Sequence, residues 1–267
     1  MLTFNEKLLK CIKCGYGELN KIDSGLKCHN CGYNYNIVNG VPVFIESKVK
    51  IMPIEHCSNQ LPIEVINWIK NSGGMCLNIG AGSTDYKIPN CIEFEYSIWK
   101  NTDVVGDAHF LPFKNNSFDS VVSFNTFEHL YNPELAANEI FRVLKPKGKA
   151  IIQTAFLQPL HEEPIHFYNA TKYGIMNWFK RFNIENIYVS ENFNPSFTLS
   201  WIVSEILNSI QDSPKYAEIS KMTLEECSEI WRNPNKRKGV LWECLLNLPQ
   251  STQEKFSAGF QIEVIKN

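Results

Sequence analysis

The chain has 267 residues, 44% of them hydrophobic, with 26 Lys and Arg against 28 Asp and Glu for a formal net charge of −2. That length accommodates one large domain with a small appendage, and the near-neutral balance lacks the basic footprint of a protein that grips nucleic acid through its phosphates. Apolar stretches such as AIIQTAFL fall short of the roughly 20 residues a membrane span requires, and the N-terminus lacks the apolar core of a secretory signal, so a cytoplasmic location is expected.

The first element in chain order lies in CIKCGYGELNKIDSGLKCHNCGYNY, where Cys11, Cys14, Cys28 and Cys31 form two C-x-x-C pairs, each followed by glycine. Tetrahedral zinc takes four thiolates, and such a turn lets two sulfurs converge on one ion. Four sulfurs fill the shell, so the metal is expected to be structural, and His29, inside the second pair, is read as exposed. The following YNYNIVNGVPVFIES has strand character with a turn at Asn39-Gly40. So short a segment lacks a core of its own and relies on the metal. Residues 1–48 are therefore read as a zinc-ribbon element. Its cysteine pairs and the phrase NGVPVF resemble the Trm112-like zinc ribbon found ahead of some methyltransferase domains. The remaining Cys57, Cys76, Cys91, Cys227 and Cys244 are scattered and read as small hydrophobes.

A second domain is expected over 60–267. PIEVINWIKNSGG has proline at the head of an amphipathic run and two glycines at its end, the punctuation of a helix. MCLNIG, CIEFEY, DVVGDA, DSVVSFN and KAIIQTAF read as short buried strands. NPELAANEIFRVLKP is the clearest helix, opened by Pro133, closed at Lys145-Pro146 and apolar along Leu135, Ile140 and Leu144. Strands alternating with helices predict an α/β fold with a doubly wound, mostly parallel sheet, which binds its ligand at the carboxyl ends of its strands. SAGFQIEVIKN reads as a last strand. The preceding 191–250 segment, rich in Trp and Leu, suits a lid over an acceptor or a homodimer surface.

The break in CLNIGAGST raises the question of what two glycines make room for. LNIGAG, EFE, GDAHFLPF, NSFDSVVSFNTFEHL and EIFRVLKPKGKAIIQ together resemble the class I S-adenosylmethionine-dependent methyltransferases, Rossmann-like proteins, over about residues 75–190. The resemblance implies a cofactor site of Asn78, Gly80, Ala81, Gly82, Glu95, Tyr96, Asp107, Ala108 and Asn125. In it Gly80 and Gly82 would leave space for the aminocarboxypropyl part of S-adenosylmethionine, Glu95 would bind the ribose, Asp107 the adenine amino group, and Asn125 would lie beside the methionine portion. Asn78 departs from the aspartate common before the first glycine, although an amide still forms hydrogen bonds. Glu93 is expected to point away from Glu95 as a solvated strand-end charge.

A sulfonium methyl group is already activated, so the protein has mainly to align an acceptor, helped by a base when that acceptor is a hydroxyl. The loop LQPLHEEPIHFYNATKYGIMNWF offers His166 and then His161 as that base. Glu128-His129 sits where some quinone-pathway O-methyltransferases carry E-x-x-E-H with a divalent metal. Asn125 replaces their first glutamate, so support of the cofactor site is the preferred role. The expected activity is O-methylation of a small polar biosynthetic intermediate, such as a cell-surface polysaccharide precursor, nucleotide- or phosphate-linked. The alternatives are an rRNA or tRNA methyltransferase, against which the charge argues, and a non-catalytic methyltransferase-like binding partner.

Overall fold

The computed structural model describes residues 6–23, 25–55, 60–233, 235 and 238–261. The chain forms two compact units, one of Met1–Phe156 with Phe167–Glu185 and one of Leu157–His166 with Asn186–Asn267. This division differs from one drawn at 1–48 and 60–267, because the cysteine-rich segment shares a core with the large sheet. Leu9, Cys11, Leu26, Tyr35 and Phe44 are buried in one apolar cluster with Leu77, Ile79, Phe94, Phe113 and Phe118.

In the first unit, β1 (Leu19–Ile22), β2 (Gly25–Cys28), β3 (Asn34–Val38) and β4 (Val41–Pro42) make an antiparallel sheet in sequence order. Asn39 and Gly40 both have positive φ, 50° and 82°, as the two-residue hairpin turn between β3 and β4 requires. The second sheet is parallel throughout and contains β5 (Cys76–Ile79), β6 (Cys91–Glu95), β7 (Val104–Val105), β8 (Phe118–Phe124) and β9 (Leu144–Gln153) in the order β7-β6-β5-β8-β9. The chain runs outward from β5 to β7 and then returns to the other side of β5. This places a topological switch point between β5 and β8, where α/β sheets bind ligands beyond the strands' carboxyl ends.

Helix α1 (Ile63–Ser72) lays Ile66 and Ile69 on one face of this sheet, among Leu61, Cys76, Val122 and Phe124. Helix α2 (Pro133–Val143) is capped by Asn132, whose side chain accepts from the Leu135 amide at 3.1 Å. Its buried stripe is Ala136, Ala137, Ile140 and Val143; Leu135 is only half-buried and Leu144 already belongs to β9. Among the sheet's crossovers only the one from β8 to β9 carries an α-helix. Between β5 and β6 the run Ser83–Asn90 has no apolar 3.6-residue repeat and contains Pro89, so the chain crosses as an open loop where a doubly wound pattern predicts a helix.

The antiparallel sheet covers the β7 edge of the parallel one. The Phe44 amide donates to the Val105 carbonyl at 2.8 Å, and Val43 bridges Val105 in parallel register. The Lys10 amide donates to Pro112 O and the Lys114 amide to Leu8 O, each at 2.9 Å, which pins the chain just before Cys11 to the segment after β7. That segment is fixed from the other side by Arg142, which donates to the carbonyls of Leu111 and Phe113 at 2.9 and 2.6 Å.

The second unit is helical: α4 (Pro195–Ser209), α5 (Tyr216–Ile219), α6 (Leu224–Arg232), α7 (Val240–Leu246) and α8 (Gln250–Glu254) follow α3 (Lys172–Trp178) of the first unit. Of the expected last strand, 257–261 is irregular and 262–267 lies outside the described residues, as does Cys57.

Candidate functional site

The cysteine element closes on itself through two matching turns. The Gly15 amide donates to Cys11 O and the Gly32 amide to Cys28 O, at 2.9 and 3.1 Å; the Cys11 amide donates to Tyr16 O and the Cys28 amide to Tyr33 O, both at 2.8 Å. Gly15 and Gly32 take φ of 76° and 73°, the left-handed conformation that turns each pair inward. The four sulfurs lie within 4.8 Å of one another, with Cys11 to Cys31 and Cys14 to Cys28 at 3.6 Å. Those separations far exceed the roughly 2.05 Å of a disulfide. They match the edge of about 3.8 Å in a tetrahedron with metal–sulfur bonds of about 2.3 Å. Tyr35, buried between the pairs, places its hydroxyl 3.0 Å from Cys11 Sγ while accepting the Ile12 amide at 3.1 Å, so it orients the Cys11 sulfur. His29 is exposed, as expected.

At the switch point the ends of β5 and β8 are clamped together. The hydroxyls of Ser123 and Thr126 donate to Ile79 O at 3.0 and 3.3 Å. The chain then turns through Gly80 and Gly82 at φ of 67° and 62°. A Cβ built on Gly80 would lie 2.0 Å from Thr126 Oγ1, so on its Cβ side the space this glycine leaves is taken by the threonine. Asn125, with φ of 49°, donates its amide to Gln153 O at 3.1 Å and lies at the carboxyl end of β8.

Glu95 ends β6 facing this turn. Its Oε1 accepts the Gly82 amide at 2.7 Å and its Oε2 the Tyr96 amide at 2.8 Å. Burial raises its pKa and those amide bonds oppose the rise. Tyr96 itself is exposed, its hydroxyl 3.3 Å from Ser47 Oγ. Asn78 is 1% exposed and its Nδ2 has no hydrogen-bond partner among the described residues. A buried donor left in that condition costs about 1–3 kcal/mol, which a ligand acceptor would relieve. The donor set therefore fits a polar ligand at the end of β5.

Asp107 and Ala108 follow β7. Asp107 accepts from both the amide and the ring Nδ1 of His109, and although burial pushes its pKa up, these bonds hold it below the ordinary value. His109 is buried, stacks on Tyr131 at 3.9 Å and accepts the Asn132 amide on Nε2 at 3.2 Å. Both ring nitrogens are thus committed, and His109 ties Asp107 to the cap of α2. Sequence reading passed over His109; its place two residues after Asp107, in cap position, was the available signal. Glu128 is fully buried, accepts from Thr154 Oγ1 at 2.8 Å, and offers its carbonyl to the amides of Phe167 and Tyr168 at 2.8 and 3.1 Å.

Glu93 corrects a sequence expectation. Residues two apart in a strand share a face, so its side chain follows that of Glu95, and it is 0% exposed.

In the second unit His161 and His166 are neighbours, with ring centroids 4.2 Å apart, and His161 lies 5.4 Å from the Trp201 ring of α4. His161 Nδ1 is 2.9 Å from Pro159 O, a pure acceptor, so Nδ1 carries the proton and the basic lone pair is on Nε2. His166 Nδ1 accepts the His161 amide at 3.2 Å, which puts the proton of its neutral ring on Nε2.

Residues 89–152, covering β6 to β9, match a family described as Methyltransferase domain. That segment is similar to the members of this family. Over 78 residues the chain is 37% identical to sterol 24-C-methyltransferase erg6 of Schizosaccharomyces pombe, covering 27% of this chain and 20% of that one. Over 49 residues it is 43% identical to the ubiquinone/menaquinone biosynthesis C-methyltransferase UbiE of Ruegeria sp., covering 18% and 20%. The chain thus spans about a fifth of the length of each of these curated relatives. Among solved structures, phosphoethanolamine N-methyltransferase 2 of Haemonchus contortus in complex with S-adenosyl-L-methionine is 20% identical with a TM-score of 0.37, over 66% of this chain and 49% of that one. The matched segment contains Glu95 at the end of β6, Asp107 after β7 and Asn125 after β8, while the glycine turn lies just upstream of it.

Proposed function

We propose that the protein is an S-adenosylmethionine-dependent methyltransferase that O-methylates a small polar biosynthetic intermediate, such as a polysaccharide precursor or its phosphorylated form. The observation that carries the reading is the Glu95 carboxylate bonded to the Gly82 amide at the switch point of a methyltransferase domain. There one carboxylate can both hold the turn and accept from a ribose hydroxyl. When bound, the cofactor supplies an activated sulfonium methyl group. Asn78 would then donate Nδ2 to a ligand oxygen, and Asp107, fixed by His109, would accept from the adenine amino group.

Acceptor-side roles are assigned to His161 and His166, because the segment carrying them leaves the first unit directly after β9. Their tautomers favour His161 Nε2 as the base and His166 Nε2–H as a donor that orients the acceptor, the reverse of the order the sequence suggests. The four thiolates would hold one zinc ion with no open position, giving it a structural role.

Calorimetric titration of the full chain with S-adenosylmethionine tests the reading. Saturable binding at one site, followed by methyl transfer to a hydroxyl of a sugar or sugar-phosphate panel, is expected; no binding by metal-loaded protein overturns it.

A further inference from the structure

The turn that receives the cofactor in our functional reading is not backed by a helix. Residues 80–90 cross from β5 to β6 as a loop, and among the described residues side chains supply the support that helical hydrogen bonds would give. Gln60 donates to Ser83 O at 2.7 Å and accepts the Asp85 amide at 3.2 Å. Asn101 donates to Thr84 O at 2.8 Å and to Thr84 Oγ1 at 3.0 Å. At the centre stands Glu93, whose two carboxylate oxygens share the Thr84 hydroxyl at 2.9 and 3.0 Å.

Burying a carboxylate to hold one hydroxyl is expensive, and an apolar residue would fill the same space at lower cost. Lys87 offsets part of that cost, and the other charged neighbours add to it. The Glu93 amide donates to Asp103 Oδ2 at 2.7 Å, and Asp103 is paired with Lys87, so a cation stands one side chain away, while Glu95 and Asp103 bring negative charge and Cys91 lies two residues back on the strand. The pairing also follows a pattern. Glu95 holds Gly82 and Glu93 holds Thr84, so two carboxylates two residues apart on β6 grip two residues two apart on the turn.

We infer that Glu93 is a positioning residue: acting through the Thr84 hydroxyl, it keeps residues 80–84 in the conformation that receives S-adenosylmethionine. The inference rests on the proposed cofactor site. Because Gly82 is fixed by Glu95 from one side, freeing Thr84 lets the turn rotate about the glycine, and the amides of 80–82 lose their aim.

The test is calorimetric titration of the metal-loaded full chain with S-adenosylmethionine, using Thr84→Val, Thr84→Ser, Glu93→Gln and the Thr84→Val/Glu93→Gln pair. Thr84→Val should weaken binding by roughly tenfold, the worth of about one charge-assisted hydrogen bond. Thr84→Ser, which restores the hydroxyl, should bind as the wild type does. The double variant should be no weaker than Thr84→Val alone, since one linkage is broken twice. A contribution to core packing alone would change melting temperature without serine rescue of affinity. Thr84→Val binding as tightly as wild type, or additive losses in the double variant, overturns the inference. Because the Thr84 hydroxyl also accepts from Asn101, a Glu93→Gln protein that binds as tightly as wild type overturns the inference as well, and Glu93→Ala takes its place should Glu93→Gln fail to fold. Wild-type protein that does not bind S-adenosylmethionine overturns the functional reading and this inference together, whereas binding that Glu95→Ala weakens and Thr84→Val leaves intact overturns this inference alone.

Discussion

Gly80 and Thr126 occupy one space: the Cβ that any other residue would carry at position 80 lies 2.0 Å from the threonine Oγ1 and 2.9 Å from its Cβ. The positive φ of 67° adds strain for every L side chain. Gly80→Val should therefore lower the melting temperature of cofactor-free protein as well as abolish S-adenosylmethionine binding. Combining Gly80→Ala with Thr126→Ala should recover part of the lost stability. Equal melting of wild type and Gly80→Val would contradict the packing seen at the end of β5.

Glu95→Ala removes the acceptor for the Gly82 amide and the proposed ribose contact together. Charge-assisted hydrogen bonds are worth roughly 1.5–3 kcal/mol, so affinity for S-adenosylmethionine should fall by about tenfold or more. Calorimetry on the variant, with its fold checked by circular dichroism, measures this; unchanged affinity would place the pocket elsewhere.

Burial, reinforced by Asp103 and Glu95 and opposed by Lys87 and Thr84, pushes Glu93 up to about 7. In the unfolded chain a glutamate titrates near about 4.3. Between those values the folded protein binds more protons than the unfolded one, so this group's contribution to stability falls as pH rises and the penalty is complete above about 7. Relative to Glu93→Gln, wild type should lose on the order of 3 kcal/mol between about pH 5 and pH 8. Urea denaturation of both proteins at the two pH values gives the difference directly; a pH-independent difference would show that Glu93 does not titrate in this way.

The four cysteines should bind about one zinc per chain. Metal analysis of protein purified without chelator checks the stoichiometry, and Cys28→Ser should lose most of the metal and the order of β1 to β4. Because Phe44 bonds Val105 two residues before Asp107, amide exchange at Phe44 and Asp107 should quicken together on chelation. Protein that holds no zinc would remove the ribbon reading.

For the acceptor loop, His161→Asn should lower turnover by roughly 10²–10⁴-fold with cofactor affinity intact, the usual worth of a positioned base. His166→Asn should instead raise the acceptor KM more than it lowers kcat, as expected for lost uniform binding. Identical kinetics for both variants and wild type would free the pair from either role.

The strands of the parallel sheet were legible because each is a short apolar run ended by a turn residue, and α2 because Pro133 and the residues around it punctuate it. Glu95 could be read from its place at the end of such a strand. The missing crossover helix after Gly82 could not, since a glycine turn ordinarily introduces one and only the weak periodicity of Ser83–Asn90 spoke against it. Glu93 was misjudged because a charged residue near a strand end is usually solvated; its burial depends on Thr84, Lys87, Asn101 and Asp103, which no local pattern connects to it. The tautomers of His161 and His166 were hidden for a similar reason, as they are set by the Pro159 carbonyl and a backbone amide. The pairing of the four cysteines was plain from spacing, but the attachment of their segment to β7 lies in backbone hydrogen bonds that carry no residue signature.

That attachment bears on how the protein would fail. A parallel sheet ends on each side in a row of unpaired amides and carbonyls, and on the β7 side the Val105 carbonyl is satisfied by Phe44. Loss of metal would loosen the cover and leave a sticky margin able to recruit the same margin of a neighbouring molecule. Zinc starvation would then register as precipitation that grows with protein concentration, and adding metal during refolding, before the margins meet, would rescue yield where adding it afterwards would not.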